Sequence, residues 1–212
     1  MNSAFIGAGL RKTLVIFQFS LSVILIFSAI VIHQQVEFLR SKALGYDKEN
    51  VLYVETGQHI KLPFESFKNE ALRNPAVESV AQAAASPMEI NGVGEINWRL
   101  GGVIQTMNIN NNPIDYDYLE TLGFEILQGR NFSPERMTDS TAVIITETAA
   151  NQMGFDNPIG QRVDFGFNTE SEIIGVVKDF HNADIHDAMA PVGFLFRKRS
   201  NLWALEAGVY SL

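Results

Sequence analysis

The sequence predicts an α+β fold lying outside a membrane, preceded by one transmembrane α-helix. Three observations carry that expectation. Residues 13–36, TLVIFQFSLSVILIFSAIVIHQQV, contain no Asp, Glu, Lys or Arg. Further on, short runs rich in Val, Ile and Phe alternate with segments of helical spacing, so strands and helices are interleaved along the chain. Between them lies a Gly- and Asn-rich stretch, residues 86–114, with alternating runs on either side of a Gly-Gly pair.

The first element is the span. Twenty helical residues rise about 30 Å, the thickness of a bilayer's hydrocarbon core. Fourteen of the residues from Thr13 to Ile32 are Leu, Ile, Val or Phe, set against one Gln and three Ser. Each apolar residue favours insertion by roughly 0.3–0.6 kcal/mol near a helix centre, about 4–8 kcal/mol together. Arg11 and Lys12 directly precede the run and no acidic residue lies upstream. The positive-inside rule therefore expects residues 1–12 as a cytoplasmic tail too short to fold, and the remainder on the outer, periplasmic side of an inner membrane. A cleaved signal peptide is disfavoured because the run is too long and no A-x-A site follows it. Gln18, Ser22 and Ala29, spaced four and seven apart, form a polar and small stripe suited to contact with another helix.

Composition bounds what the outer part can do. Residues 37–212 are enough for one domain with a substantial core, or for two small lobes. The absence of Cys excludes disulfides, thiolate chemistry and Cys-based zinc sites. All 24 acidic residues and 14 of the 16 basic ones follow the span, a net charge of −10 spread along the chain. That is a solvated surface and a poor match for nucleic acid.

The remaining elements follow in order. The helix is expected to run on to about Ala43, with Gly45 as its stop. Val51 to Glu55 reads as a strand. Pro63 suits the first turn of a helix whose apolar face is Phe64, Phe67 and Ala71, ended by Asn74-Pro75. Val77 to Ala85 reads as a strand, although its alanines also suit a helix, and the three elements make a βαβ-like unit. Ile96 to Leu100 and Val103 to Ile109 flank Gly101-Gly102 as a hairpin. Asp115 is placed to cap a short helix through Leu122, stopped by Gly123, with a strand at Phe124 to Leu127. Ser133-Pro134-Glu135 opens a further helical turn. Ala142 to Thr146 reads as a buried strand, Glu147 to Met153 as a helix closed by Gly154, and Asn157 to Gly160 as a turn. Glu172 to Lys178 is the clearest central strand, with later strands at Val192 to Phe196 and Ala204 to Val209.

Few residues suggest chemistry. Gly7-Ala8-Gly9 has no preceding strand and is no phosphate loop. Asp179, His181 and His186 are the best metal or acid/base candidates, since they can converge from a loop after a strand. Their spacing matches no strong ligand signature, and such residues commonly serve as caps and turn bonds. Glu147 can be a general base or an acidic residue favouring a helix dipole, the second being the commoner role. Arg130 can bind an anion or, more commonly, tie down a carboxylate. No G-x-S-x-G, H-E-x-x-H or G-x-x-x-x-G-K-[ST] is present, so hydrolase, zincin and self-contained ATPase readings lack support and no cofactor is expected.

Five segments, in this order, carry a resemblance. They are LRKTLVIFQFSLSVILIF (Leu10 to Phe27), ALGYDKENVLYV (Ala43 to Val54), YLETLGFEILQGRNF (Tyr118 to Phe132), NPIGQ (Asn157 to Gln161) and IIGVVKDFH (Ile173 to His181). Together they resemble the MacB-like periplasmic core domain of FtsX-type ABC transporter permeases, in the form found in the second half of long Bacteroidetes-type permeases. The resemblance singles out Gly129, Arg130, Phe132, Gly160, Gly175, Asp179, Phe180 and His181 as structural motif residues.

The resemblance implies a non-enzymatic inner-membrane permease subunit with two outer lobes. A membrane-proximal βαβ lobe would occupy about 44–85 and 172–212, and an inserted mixed α+β lobe about 86–171. It implies mechanotransmission, in which a separate cytoplasmic ABC ATPase drives motion of the outer domain for export or envelope work. Expected partners are that ATPase, a second permease half or copy, and a periplasmic adaptor or lipoprotein. The alternative is a membrane-anchored binding or sensor domain without transport activity. The chain departs from the family in three ways. It lacks later membrane helices, which suggests a fragment, a truncated frame or a relic. It lacks the preceding half of the long form. It also has Thr146 where the family usually has Asn, which is expected to loosen a local cap.

Overall fold

The computed structural model describes residues 3–41, 45–47, 50–54, 64–90, 92–165, 170–182, 189–196 and 207–211. The chain divides into two compact units, residues 1–43 and 44–212. The first is a single helix, α1, Ser3–Ser41, within which Arg11–Glu37 is long and apolar enough to cross a membrane. The tail expected not to fold is helical from Ser3, because a helix once nucleated propagates cheaply through residues such as Ala8, Leu10, Arg11 and Lys12. Ser22 donates its hydroxyl to the Gln18 carbonyl at 2.9 Å, one turn back along the same helix.

The second unit is built on one mixed sheet. Its strands are β1 (Val51–Val54), β2 (Ser79–Ala83), β3 (Val93–Leu100), β4 (Val103–Ile114), β5 (Ile126–Gly129), β6 (Ala142–Thr146), β7 (Arg162–Asp164), β8 (Glu170–Val177), β9 (Val192–Phe196) and β10 (Ala207–Ser211). Helices α2 (Phe64–Ala71), α3 (Tyr118–Thr121) and α4 (Glu147–Met153) lie between them. The order across the sheet is β1-β10-β2-β4-β3-β7-β8-β6-β9, with β5 on β8.

The expected βαβ unit is split. β10 runs antiparallel between β1 and β2, so those two strands are parallel but not neighbours. The β3–β4 hairpin turns through Gly101 and Gly102, both at positive φ (59° and 86°), which a primed two-residue turn requires. β9 pairs in parallel with β4 as well as antiparallel with β6. The Asn110 N–H donates to Pro191 O and the Asn111 N–H to Gly92 O, so β9 and β3 occupy opposite edges of β4. Strands β4, β3, β7, β8, β6 and β9 therefore close into a ring.

Side-chain alternation sorts the buried residues into two clusters. Ile96, Trp98, Ile109, Val143, Ile145, Val163, Ile173 and Val176 come from five of the ring strands, joined by Ala149 and Met153 of α4 and partly by Leu195 of β9. The Trp98 indole N–H donates to Met153 O at 3.0 Å, fixing α4 to this cluster. The residues of opposite parity, Ile114, Ile144, Ile174, Val177, Val192 and Phe194, pack with β2, α3 and an aromatic group of Tyr118, Phe124 and Phe180.

Several boundaries move. α3 starts at Tyr118 with Asp117 in the cap position, and Asp115 lies on the loop just past the end of β4 instead of capping a helix. The Asp115 backbone N–H still bonds Gln82 O of β2 in the ladder, and its carboxyl accepts the Asp117 N–H in the turn ahead of α3. Strand β5 is Ile126–Gly129, two residues later than expected, and β10 is Ala207–Ser211. Strand β7 was not foreseen. Pro63 and residues 204–206 lie outside the described residues.

Candidate functional site

Four of the singled-out segments meet on strand β8 and the loop that leaves it. β8 carries a bulge: Val143 faces Ile173 but Ile144 faces Gly175, leaving Ile174 without a partner on β6. The Ile174 carbonyl accepts the Arg130 N–H at 2.9 Å. Gly129 and Gly175 make this approach possible. A Cβ on Gly129 would sit 2.1 Å from Ile174 O, and one on Gly175 would sit 2.6 Å from Arg130 O. On the neighbouring stretch, the Gly160 N–H donates to Ile173 O at 2.8 Å, and the Ile173 N–H returns a bond to Gln161 O at 2.9 Å. The G-R-N-F, N-P-I-G-Q and I-I-G-V-V segments are thus stitched together by backbone hydrogen bonds.

The fourth meeting point is the end of β8. Gly45 packs on the backbone of Asp179 and Phe180, where an added Cβ would lie 2.6 Å from Asp179 O. Tyr46 stacks on Phe124 with ring centroids 5.8 Å apart and meets Phe180 edge-on at 6.2 Å. The Asp47 N–H donates to Leu122 O at 2.8 Å. Phe132 is buried in the same aromatic cluster.

Of the candidate chemical residues, Asp179 is a joint. Asp179 accepts from the Thr148 N–H at 2.8 Å and the Thr148 hydroxyl at 2.6 Å, so it caps the first turn of α4 from across the sheet. Thr146, at the cap position itself, makes no side-chain cap bond; its Oγ1 accepts from the Val192 N–H at 3.0 Å. Glu147 is exposed in that first turn. His181 is half-buried, and its Nδ1 has no hydrogen-bond partner among the described residues. His186 lies outside the described residues. Among the described residues no three His, Asp or Glu side chains are grouped so as to hold a metal ion.

Arg130 ties down a carboxylate. Its two terminal nitrogens each reach Asp139 at 2.7 Å, and Asp139 also accepts the Ser133 N–H at 2.8 Å. The Asp139 side chain is only 1% exposed. Burial alone would push its carboxyl up, but the hydrogen bonds from Arg130 and Ser133 outweigh this and hold it below the usual range. The same ion pair raises the Arg130 guanidinium.

Sequence reasoning missed the most perturbed acid near neutrality. Asp115 accepts the Asp117 N–H at 3.2 Å and sits beside the Lys68–Asp117 ion pair. Burial, reinforced by Asp117 and opposed by the Gln82 backbone and Lys68, pushes it up to about 7. An Asp three residues ahead of a helix gives no sequence signal of this, because its neighbours Gln82 and Lys68 come from elsewhere in the chain. The site as a whole offers backbone and side-chain joints between strands.

Residues 19–206 match the profile of the MacB-like periplasmic core domain. Among solved structures, the periplasmic region of MacB from Actinobacillus actinomycetemcomitans is similar at 18% identity, covering 77% of this chain and 75% of that one, with a TM-score of 0.53. A domain of a putative permease protein from Porphyromonas gingivalis is similar at 15% identity, with the same coverage and a TM-score of 0.54. No curated protein sequence matches. At these identities the structural likeness establishes the fold.

Proposed function

The chain belongs to the family of MacB-like periplasmic core domains of ABC transporter permeases, and from that premise we propose that it works as the outer part of a permease driven by a partner ATPase. In this reading α1 crosses the inner membrane with its N-terminus in the cytoplasm, as Arg11 and Lys12 favour. ATP hydrolysis by a cytoplasmic ABC subunit moves the membrane helices, and the domain carries that motion outward for export or envelope work. A second permease half or copy completes the assembly, and a periplasmic adaptor or lipoprotein receives the motion.

The observation that carries the reading is the pairing of β1 with β10. Val51 lies opposite Ser211 in antiparallel register, so the start of the domain's first strand and the end of its last described strand are side by side. A displacement applied at that edge enters two hydrogen-bonded strands at once. It passes to β2 through β10, and from β2 to the ring through the Ala83–Ile114 contact and the flanking bonds Ala84 N–H to Pro113 O and Asp115 N–H to Gln82 O, both 2.9 Å. The motif residues on β8 then act as structural joints that keep the ring stiff.

The test is affinity purification of the native protein from its own membranes in mild detergent. Co-purification of a P-loop ATPase, with further hydrophobic spans read at the native locus, is the expected result. A native protein that purifies with a signalling module and no ATPase refutes transport and leaves the anchored sensor.

A further inference from the structure

Strand β4 carries an open edge beside the hairpin turn. The Asn110 N–H donates to Pro191 O and the Asn111 N–H to Gly92 O on the β3 side, so by alternation Ile104, Thr106 and Asn108 point their N–H and C=O groups away from β3. β9 takes up that edge only from Asn110 onward. Pro191 has no N–H, so the β9 ladder cannot reach back to the Asn108 carbonyl. Among the described residues, no strand pairs with that side of β4 between residues 103 and 108.

Natural edges are guarded by a charge, a proline or a bulge. Residues 103–109 read V-I-Q-T-M-N-I and contain none of these, and their register with β3 is unbroken. Val103 and Ile104 are each 60% exposed, and Thr106 and Asn108 are exposed further along the strand. At the tip, nothing lies within 4 Å of a Cβ built on Gly101 or Gly102, so the hairpin is clear on that flank.

We propose that this edge pairs with the same edge of a second copy of the chain, antiparallel about a two-fold axis at Gln105, so that one sheet runs through both copies. The strand itself points to the occupant. A two-fold contact needs a patch that complements itself. In an outer part whose net charge is −10, an uncharged strand is where two copies meet without repulsion. The free length sets the register. With the axis at Gln105, residues 103–107 of the two copies lie opposite one another, and each hairpin turns back at Gly101-Gly102 across from Asn108, short of Pro191. Moving the axis to Thr106 would drive the turn against Asn110, whose N–H is already taken by Pro191. In the allowed register Ile104 exchanges backbone hydrogen bonds with Thr106 of the second copy, twice by symmetry. Val103 covers Met107 of the second copy, and the two Gln105 amides face each other. The contact is small beside the roughly 1,200 Å² of a free-standing specific interface. It therefore rests on the reading of α1 as a membrane anchor, which confines both copies to one plane and raises their effective concentration.

The experiment is disulfide trapping in the full chain, in its own membranes. The chain has no Cys, so a single introduced thiol reports without background. Gln105→Cys under mild oxidation is expected to give a linked dimer, because an antiparallel pair without mutual hydrogen bonds sets its Cα atoms about 4.5 Å apart, within disulfide reach. Asn108→Cys is the more exposed thiol but lies about 20 Å along the strand from its counterpart, so it should link at least about tenfold less. Adding Thr106→Lys at this exposed position guards the edge with charge and should cut the Gln105→Cys link at least about tenfold while the tryptophan emission spectrum stays unchanged. No link at Gln105→Cys in protein with the unaltered spectrum, equal linking at the two positions, or a Gln105→Cys link to a different protein overturns the pairing. The link is read whether or not an ATPase co-purifies, so its failure is distinct from failure of the transport reading.

Discussion

Replacing Gly129 by Ala tests whether the junction on β8 is as tight as its geometry says. The added Cβ would meet Ile174 O at 2.1 Å, Gly175 Cα at 2.9 Å and Ile159 Cδ1 at 2.9 Å, and two of these are backbone atoms that cannot swing aside. The first contact is about 1 Å inside ordinary van der Waals distance. Three costs combine. The left-handed backbone at φ 76° costs a non-glycine residue about 1–2 kcal/mol. Overpacking adds about 1–3 kcal/mol. Displacing Ile174 O also weakens its bond from the Arg130 N–H, about 0.5–1.5 kcal/mol. The total is about 2.5–6.5 kcal/mol, a large part of a stability of about 5–15 kcal/mol. Gly160→Ala supplies the control: its φ is 83°, but its Cβ would meet nothing within 4 Å, so only the backbone cost of about 1–2 kcal/mol applies. Urea unfolding followed by tryptophan fluorescence reads both. With a slope of about 1–3 kcal/mol per molar, the Gly129 variant should unfold at least about 0.5 M below the Gly160 variant. Equal midpoints would refute the close approach and the stitching argument with it.

Arg130→Met leaves the Asp139 carboxylate buried without its counter-charge and should cost about 3–5 kcal/mol, most of it recovered by adding Asp139→Leu; denaturant unfolding of the two variants checks this. In the unaltered protein the depressed Asp139 carboxyl contributes stability that is present above its unfolded value of about 3.9 and lost as pH falls below it. Arg130→Met should reverse that slope, since the lone buried acid gains stability on protonation; thermal unfolding from pH 3 to 7 distinguishes the two. Asp179→Ala should cost about 1–2 kcal/mol through the lost α4 cap, with a double-mutant cycle against Thr148→Val showing at least about 0.5 kcal/mol of coupling. Additive effects would mean the two side chains do not share the work. On the membrane helix, Ser22 already donates to the Gln18 carbonyl, which leaves the Gln18 amide to seek a partner in hydrocarbon. Gln18→Leu should weaken co-purification of partner helices and Ser22→Ala should not.

The elements legible in the sequence are those whose signals are local. Gly101-Gly102 marks its hairpin because positive φ at two successive positions is a demand of the turn itself. Ala142 to Gly154 reads as strand, helix and stop because five consecutive apolar or β-branched residues give way to Glu147 and end at a glycine with φ 71°. The pairing of those elements is not local. β10 enters between β1 and β2 from more than a hundred residues away, and nothing in VLYV or SVAQA names the strand that will separate them. Ring closure by β9 on β4 is similarly silent. β7 is invisible for another reason: its three residues alternate one buried Val between Arg and Asp, too short a run to show a period.

The candidate site teaches a narrower lesson about what motif residues mean. Arg130 and Asp179 attract attention because charged residues beside glycines and buried strands are expensive, and expense suggests a purpose. Here the purpose is geometric. A bulge at Ile174 leaves a carbonyl unpaired on β6, and only a backbone amide presented between two side-chain-free residues can reach it. Gly129 and Gly175 provide that opening, the Asp139 ion pair fixes the segment that carries the amide, and Asp179 fastens α4 to the same strand two residues past its end. The Arg130 N–H meets the carbonyl freed by the bulge and Asp179 meets an N–H in the first turn of α4, so both residues satisfy backbone groups within the domain.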